Sequence, residues 1–282
     1  MKVFKFQNDL IYYLSLIKDK NIGFVPTMGS LHKGHLILIE TAKKDCDIVV
    51  CSIFVNPIQF NSRKDFKNYP RSLKDDIDKL IMSRCDVLYC PESSDIYSDN
   101  EKESVFDFNR MTDFMEGKYR KGHFNGVATV VDKLFNIIKP DYAYFGEKDL
   151  QQLQIIKYIT KKKGYPINII GVPTVRNHLG VAISSRNQLL SELDLKKSRI
   201  LYQTLMFIYN NLGEDFIGKA VNILKTEACE FFHSQEDVKL EYLEIVSVRS
   251  MLPVSHFLDK KQNAACLAAT ISGIRLIDNI IF

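Results

Sequence analysis

The stretch Ile22-Gly23-Phe24-Val25-Pro26-Thr27-Met28-Gly29-Ser30-Leu31-His32-Lys33-Gly34-His35 decides the fold. A short apolar run (22–25) enters a glycine-bearing turn, and helical periodicity then runs over 36–44. Strand, turn and helix in direct succession open a βαβ unit. Such a junction brings backbone N–H groups and the positive end of a helix together, where phosphate oxygens bind, and glycine at 34 permits close approach. His32 and His35 stand at the helix start. Two imidazoles so spaced can donate hydrogen bonds to phosphate oxygens and stabilise charge developing on a pentavalent α-phosphate. An isolated His-x-Gly-His is also compatible with a plain helix cap; its place directly after a strand favours the catalytic reading. Two imidazoles without a third His, Cys or Glu at a recognisable spacing do not make a structural zinc site, and no protein metal site is expected.

The same rhythm extends outward. Apolar runs at 48–55 and 87–90 flank a helical pattern over Leu73–Met82; a helix over 127–138, a strand at 142–145, a helix over 150–163 and a strand at 167–172 follow. Strands alternating with helices imply a parallel sheet covered on both faces, with ligands bound beyond the strand carboxyl ends. After Pro173 the pattern changes. A polar, small-residue linker leads to Ser191, placed to cap one long helix, and strand-like stretches follow at 240–248, 265–271 and 275–281. The expected fold class is α/β: a Rossmann-like parallel sheet flanked by helices over residues 1–174, then a second, smaller α+β domain over 175–282.

Hydrophobic residues at 46% and charged residues at 26% are ordinary globular values, which excludes a disordered or collagenous chain. The net charge of +4 is mild, with basic and acidic residues interleaved, so nucleic acid is not expected as a partner. The cluster Lys161–Lys163 reads as a solvated helix end, where cations favour the dipole. Six cysteines without a C-x-x-C pair sit mostly in apolar runs, as free thiols do. With no apolar stretch of about 20 residues and no signal-peptide pattern, a cytoplasmic protein without membrane association is expected.

Three further clusters carry chemistry. Ser52-Ile53-Phe54-Val55-Asn56-Pro57-Ile58-Gln59-Phe60 places the amides of Asn56 and Gln59 just past a strand, suited to a small substrate bearing hydroxyl and carboxylate groups. Gly122-His123-Phe124-Asn125-Gly126 precedes a helix, and Tyr144-Phe145-Gly146-Glu147-Lys148-Asp149-Leu150-Gln151-Gln152 repeats the strand–glycine–helix arrangement: Lys148 supplies a mobile point charge for polyphosphate, Asp149 can orient a ribose hydroxyl or cap the helix, and Gln152 follows. Finally, Val172-Pro173-Thr174-Val175-Arg176 and Gly180-Val181-Ala182-Ile183-Ser184-Ser185-Arg186-Asn187 set two hydroxyls beside a guanidinium, a multi-point grip for β- and γ-phosphates.

The tetrapeptide His32-Lys33-Gly34-His35 resembles the signature of the HIGH-motif nucleotidylyltransferases and class I aminoacyl-tRNA synthetases. The longer Pro26–His35 string is similar to the pantothenate synthetase family, and so, in the same order, are the Ser52–Phe60, Asp65–Arg71, Gly146–Leu153 and Ile183–Asn187 segments. The resemblance runs from about Val25 to Asn187. It implies an ATP-dependent ligase that condenses pantoate with β-alanine through an enzyme-bound pantoyl adenylate, releasing AMP and pyrophosphate, with Mg2+ on the nucleotide, as a homodimer. It implies catalytic roles for His32, His35 and Lys148. ATP contacts would come from Pro26, Met28, Gly29, Ser30, Leu31, His32, Lys33, Gly34, His35, Gly146, Glu147, Lys148, Asp149, Val175, Ile183, Ser184, Ser185 and Arg186. Gln59, Gln152 and Asn56 would contact pantoate or β-alanine. Departures from the family pattern include Ser30, Lys33, Ser62, Lys121, Ile183, Leu179 near the hinge and Ser98. A nucleotidylyltransferase that stops after AMP transfer, or a nucleotide-binding module without catalysis, would not need the two glutamine clusters or the full set of cations.

Overall fold

A computed structural model of the chain describes residues 1–97, 105–213, 215–233 and 235–282; Ser98 lies outside them. The first elements are β1 (Lys2–Phe4), α1 (Gln7–Ser15), β2 (Ile22–Thr27), α2 (Lys33–Asp45), β3 (Ile48–Ile53), α3 (Arg63–Asn68), α4 (Leu73–Met82), β4 (Val87–Tyr89) and α5 (Ser93–Ile96). Next come α6 (Met115–Tyr119), α7 (His123–Ile138), β5 (Tyr142–Gly146), α8 (Leu150–Lys162) and β6 (Asn168–Val172). The chain closes with α9 (Glu192–Lys197), α10 (Arg199–Asn210), α11 (Asn222–Glu230), β7 (Val238–Ser247), β8 (Asn263–Ile271) and β9 (Ile274–Ile281).

These elements form two compact units: Met1–Phe108 with Arg120–Glu147 and Ile155–Pro173, and Asn109–Tyr119 with Lys148–Gln154 and Thr174–Phe282. The first holds a six-stranded sheet in the order β1-β4-β3-β2-β5-β6, and every pairing is parallel. β2 and β3 are apolar nearly throughout because helices cover both faces of such a sheet. Val25, Ile39, Val49, Cys51, Leu88 and Tyr144 share its core. Strand order reverses between β2 and β5, since β3 and β4 lie to one side and β5 and β6 to the other. A crevice beyond the carboxyl ends at that point is where open α/β sheets bind ligands.

The second unit carries the antiparallel sheet β7-β8-β9. α10 and α11 bury Leu205, Ile208 and Ala228 against Leu243, Ala265, Leu267 and Ala269. Here α6 is fastened by Glu116, whose carboxylate accepts from Arg275 Nη1 (2.8 Å) and Tyr242 Oη (2.9 Å).

Several boundaries differ from the sequence reading. Helix α7 starts at His123 rather than 127, with Gly122 at φ +82° before it, so Gly126 lies inside the helix although glycine disfavours helix interiors. The single helix expected after Ser191 is two, α9 and α10, meeting at buried Ser198, whose hydroxyl donates to Leu195 O (2.7 Å). Ser191 does cap α9, accepting from Asp194 N (3.1 Å). β1, α1 and α11 were not anticipated. Among the described residues no helix is long and apolar enough to cross a membrane.

Candidate active site

β2 leaves the sheet at Thr27, whose hydroxyl donates to Ser52 O on β3 (2.8 Å) and accepts from Gly29 N (3.2 Å). The turn that follows includes Ser30 at φ +51°, a conformation that costs a non-glycine residue free energy and persists only when surroundings hold it. The holding group is Asp76 of α4. Its buried carboxylate accepts from Ser30 N (2.8 Å) and Leu31 N (2.6 Å), while Lys79 Nζ donates to Leu31 O (2.8 Å). The Ser30 and Leu31 amides are therefore given to Asp76, and they shape the turn. Asp76 and Lys79 had no signal in the sequence: nothing in the spacing of a helix rich in Asp and Lys marks two of them as bonded to a distant turn.

His32 is the N-cap of α2 and His35 its third residue, and the two form a reciprocal capping box. Gly34 N donates to His32 Nδ1 (3.2 Å), and His32 N donates to His35 Nδ1 (3.3 Å). The rings stack with centroids 3.9 Å apart and planes 21° apart. A side chain at 34 would set its Cβ 3.0 Å from two atoms of the His32 ring, which is why glycine stands there. Because each Nδ1 accepts, the hydrogen-bond pattern puts the ring hydrogen on Nε2 in both residues. The cap uses the Nδ1 edge of both rings, and the Nε2 edges take no part in it.

Past β3, Asn56 is fully enclosed, and a 3-10 turn over Pro57–Gln59 follows. Asn56 Oδ1 accepts from Tyr97 Oη (2.7 Å), and its Nδ2 donates to Gln59 Oε1 (3.0 Å) and Gly126 O (3.0 Å). That uses both of the amide's hydrogens, and Asn56 orients Gln59. With Oε1 occupied, Gln59 presents its Nε2 donors; one approaches Met28 Sδ at 2.8 Å. The turn is also held from α7. His123 Nδ1 donates to Gln59 O (2.9 Å) and its Nε2 accepts from Arg120 Nη1 (3.2 Å), while Gly126 brings the helix against the turn's backbone. Tyr97 and His123 were missed as supports because their partners lie 41 and 64 residues away.

β5 ends at Gly146 and leads into a 3-10 turn over Glu147–Asp149. Lys148 Nζ lies 3.7 Å from Asp149 Oδ1. Of the two glutamines that follow, Gln151 is buried and donates to Met111 O (2.7 Å) and Phe114 O (3.0 Å), whereas Gln152 is half-buried. β6 ends at Val172 beside Gly146. A short hairpin follows, with Arg176 bridged to Ala182 and Ile183 N donating to Val175 O (2.9 Å). Its turn is built on Asn177, whose Oδ1 accepts from Leu179 N (2.9 Å) and Val181 N (3.0 Å), so the Leu179 departure leaves the turn's own bonding intact. Ser184 then caps a 3-10 turn over Ser185–Leu189: its Oγ accepts from Arg186 N (3.2 Å), and Asn187 Oδ1 accepts from Ser184 N.

The described residues therefore place Asn56 and Gln59, Pro26–His35, and Gly146–Glu147 at the carboxyl ends of the adjacent strands β3, β2 and β5 in the first unit. Lys148, Asp149, Gln152, Val175 and Ile183–Arg186 belong to the second. Among the described residues no three His, Cys, Asp or Glu side chains gather as a metal-ion cage.

The sequence profile described as Pantoate-beta-alanine ligase matches residues 2–281. The chain belongs to the Pantoate-beta-alanine ligase family. It is an enzyme, a ligase of pantoate and β-alanine. A pantothenate synthetase of Christiangramia forsetii is 42% identical over 99% of both chains. The pantothenate synthetase crystal structure from Thermus thermophilus superposes with a TM-score of 0.93 at 36% identity, covering 100% of this chain and 99% of that one. The Pantoate-beta-alanine ligase of Francisella tularensis, complexed with beta-gamma ATP and beta-alanine, matches with a TM-score of 0.80 at 36% identity over 100% and 97% of the chains.

Proposed function

We propose that this family member makes pantothenate in two steps on one site, through a pantoyl adenylate that stays bound. A carboxylate oxygen of pantoate attacks the α-phosphate of ATP, forming the acyl–phosphate bond as the bond to the β-phosphate breaks and pyrophosphate leaves. The amine of β-alanine then attacks the acyl carbon, AMP departs with the carboxylate oxygen, and the amine loses a proton. The observation that carries this reading is the paired His32–His35 capping box at the β2–α2 junction, with both Nδ1 atoms consumed. Donors fixed before the reaction stabilise developing charge without reorganisation, so the two Nε2–H groups suit the pentavalent α-phosphate.

The other roles rest on the motifs shared with the family. Lys148 and the Ser184–Arg186 turn neutralise the leaving pyrophosphate, Asp149 holds Lys148 or the ribose, and Pro26, Met28, Gly29, Lys33, Gly34, Gly146, Glu147, Val175 and Ile183 line the nucleotide. Gln59 donates to pantoate through Nε2, and Gln152 is its second contact. Mg2+ would accompany the nucleotide, held mainly by phosphate oxygens and water, and would supply charge neutralisation on the triphosphate. Residues 1–174, apart from the segments 109–119 and 148–154 that pack with the second unit, act as the ATP- and pantoate-binding domain and 175–282 as a small C-terminal lid domain, in a cytoplasmic homodimer.

Incubation with ATP, pantoate and β-alanine should release AMP and pantothenate in equal amounts. Omitting β-alanine should leave about one adenylate per site and no free AMP beyond slow hydrolysis. Multiple turnovers of AMP transfer without β-alanine would instead identify a nucleotidylyltransferase.

A further inference from the structure

The second unit ties two of the cationic segments to a single dipeptide near the C-terminus. Asp278 and Asn279 are consecutive on β9, and both are buried. The Asp278 carboxylate takes a bidentate fork from Arg176, Nη1 to Oδ2 at 2.6 Å and Nη2 to Oδ1 at 2.9 Å, and accepts from Asn279 N at 2.8 Å. The same guanidinium donates to Gly180 O (3.0 Å) and Asn279 O (3.0 Å) and lies 4.4 Å above the Tyr202 ring. A planar fork engaged through both terminal nitrogens and stacked on a ring has one geometry, unlike a mobile ammonium. The turn at 177–180 is thereby pegged to β9, and the hairpin strand leaving it runs directly into Ile183–Arg186. On the other side, Asn279 Nδ2 donates to the backbone carbonyl of Lys148 (2.8 Å).

We propose that Asp278 and Asn279 are positioning residues for adenylation: Asn279 fixes the backbone from which Lys148 reaches, and Asp278, through Arg176, fixes the hairpin that delivers Ser184–Arg186. Neither touches substrate. The inference rests on the assignment of Lys148 and Ser184–Arg186 to the leaving pyrophosphate made above. Burying a carboxylate is costly, and it is tolerated here because every partner is in place; a strand needing only an apolar contact would carry none of this. The pair gives the two phosphate-facing segments a common reference, so their separation does not depend on loop conformation.

The test separates the half-reactions. Asn279→Asp keeps the side chain's shape and replaces the donor facing the Lys148 carbonyl with an oxygen. It should slow single-turnover adenylation about 10- to 100-fold, the effect of displacing a charge-stabilising group by around 1 Å. Pantoate KM should stay within about threefold, and β-alanine capture of supplied pantoyl adenylate, in which no pyrophosphate leaves, within about twofold. Arg176→Lys retains the charge beside Asp278 but not the fork, and should raise ATP KM with the same sparing of the second half-reaction. Wild-type adenylation by Asn279→Asp, or equal losses in both half-reactions with a lowered Tm, overturns the proposal. Lys148→Ala run alongside tells the two claims apart. If it adenylates normally, the assignment of Lys148 is what fails; if it is slow while Asn279→Asp is not, the assignment stands and the positioning role is overturned.

Discussion

Gly126→Ala should impair pantoate use while leaving the fold almost as stable as before. In an exposed helix interior this substitution stabilises by about 1 kcal/mol, because alanine is the better helix former. At 126 the added Cβ would stand 2.6 Å from Ile58 O, 2.7 Å from Gln59 Cα and 2.8 Å from Gln59 N, all backbone atoms of the 3-10 turn. Carbon atoms rest at about 3.5–4.0 Å, so the turn must retreat by roughly 1 Å. Overpacking of this kind costs about 1–3 kcal/mol, which the helix-propensity gain partly offsets, for a net loss of about 0–2 kcal/mol. The retreat pulls Gln59 from the bonds that orient it, since Asn56 Nδ2 donates to both Gln59 Oε1 and Gly126 O, and His123 holds Gln59 O. A displacement near 1 Å can lower a rate by about 100-fold. Steady-state kinetics should therefore show kcat/KM for pantoate reduced about 100-fold and KM for ATP changed no more than about threefold, with a small fall in Tm. Wild-type kcat/KM for pantoate would refute the reasoning, and so would equal losses for both substrates.

His35→Ala should slow adenylation about 100-fold through loss of a preorganised donor and destabilise the protein by about 1 kcal/mol through loss of the cap. His35→Gln, which suits the capping box, should restore Tm but not the rate, as single-turnover kinetics and thermal melting will show. Asp76→Asn leaves one of the Ser30 and Leu31 amides facing a donor; denaturant titration should show a loss of about 2 kcal/mol, and a neutral result would remove Asp76 as the clamp of that turn. Burial pushes the Cys85 thiol up to about 11 and raises the other five as well, so exposure rather than pKa separates them. A raised thiol pKa means less thiolate at pH 8, so a thiol reagent on the native protein should react slowly, and at most with Cys90 and Cys229, the two partly exposed cysteines. Rapid labelling of a third would show the core opening.

The β2–α2 junction was legible in the sequence because its whole signal is local: an apolar run, glycines in a turn and histidines at the first helical positions. The parallel sheet followed from alternating periodicities, which report burial on both faces directly. Elements with little burial escaped. β1 is three residues long, two of them exposed, and carries no pattern to read. The break between α9 and α10 lies at Ser198, which continues the helical spacing of its neighbours and differs only in where its hydroxyl goes. In the site, residues read as ligand contacts also bond within the protein, Asn56, Ser30 and Leu31 above all, because the sequence displays donors but not their partners. The partners are remote: Asp76 acts on a turn 45 and 46 residues away, and Asn279 on a carbonyl 131 residues away. No local pattern distinguishes such residues from a solvated helix face or an ordinary strand end.

The fate of the pantoate carboxylate oxygens tests the chemistry most directly. If that carboxylate attacks the α-phosphate at the His32–His35 junction, one of its oxygens leaves with AMP. Turnover with pantoate labelled with heavy oxygen in the carboxylate, followed by mass spectrometry of the products, should place one labelled oxygen in AMP and none in pyrophosphate. Unlabelled AMP, or label in pyrophosphate, would contradict the pantoyl adenylate and the roles built on it.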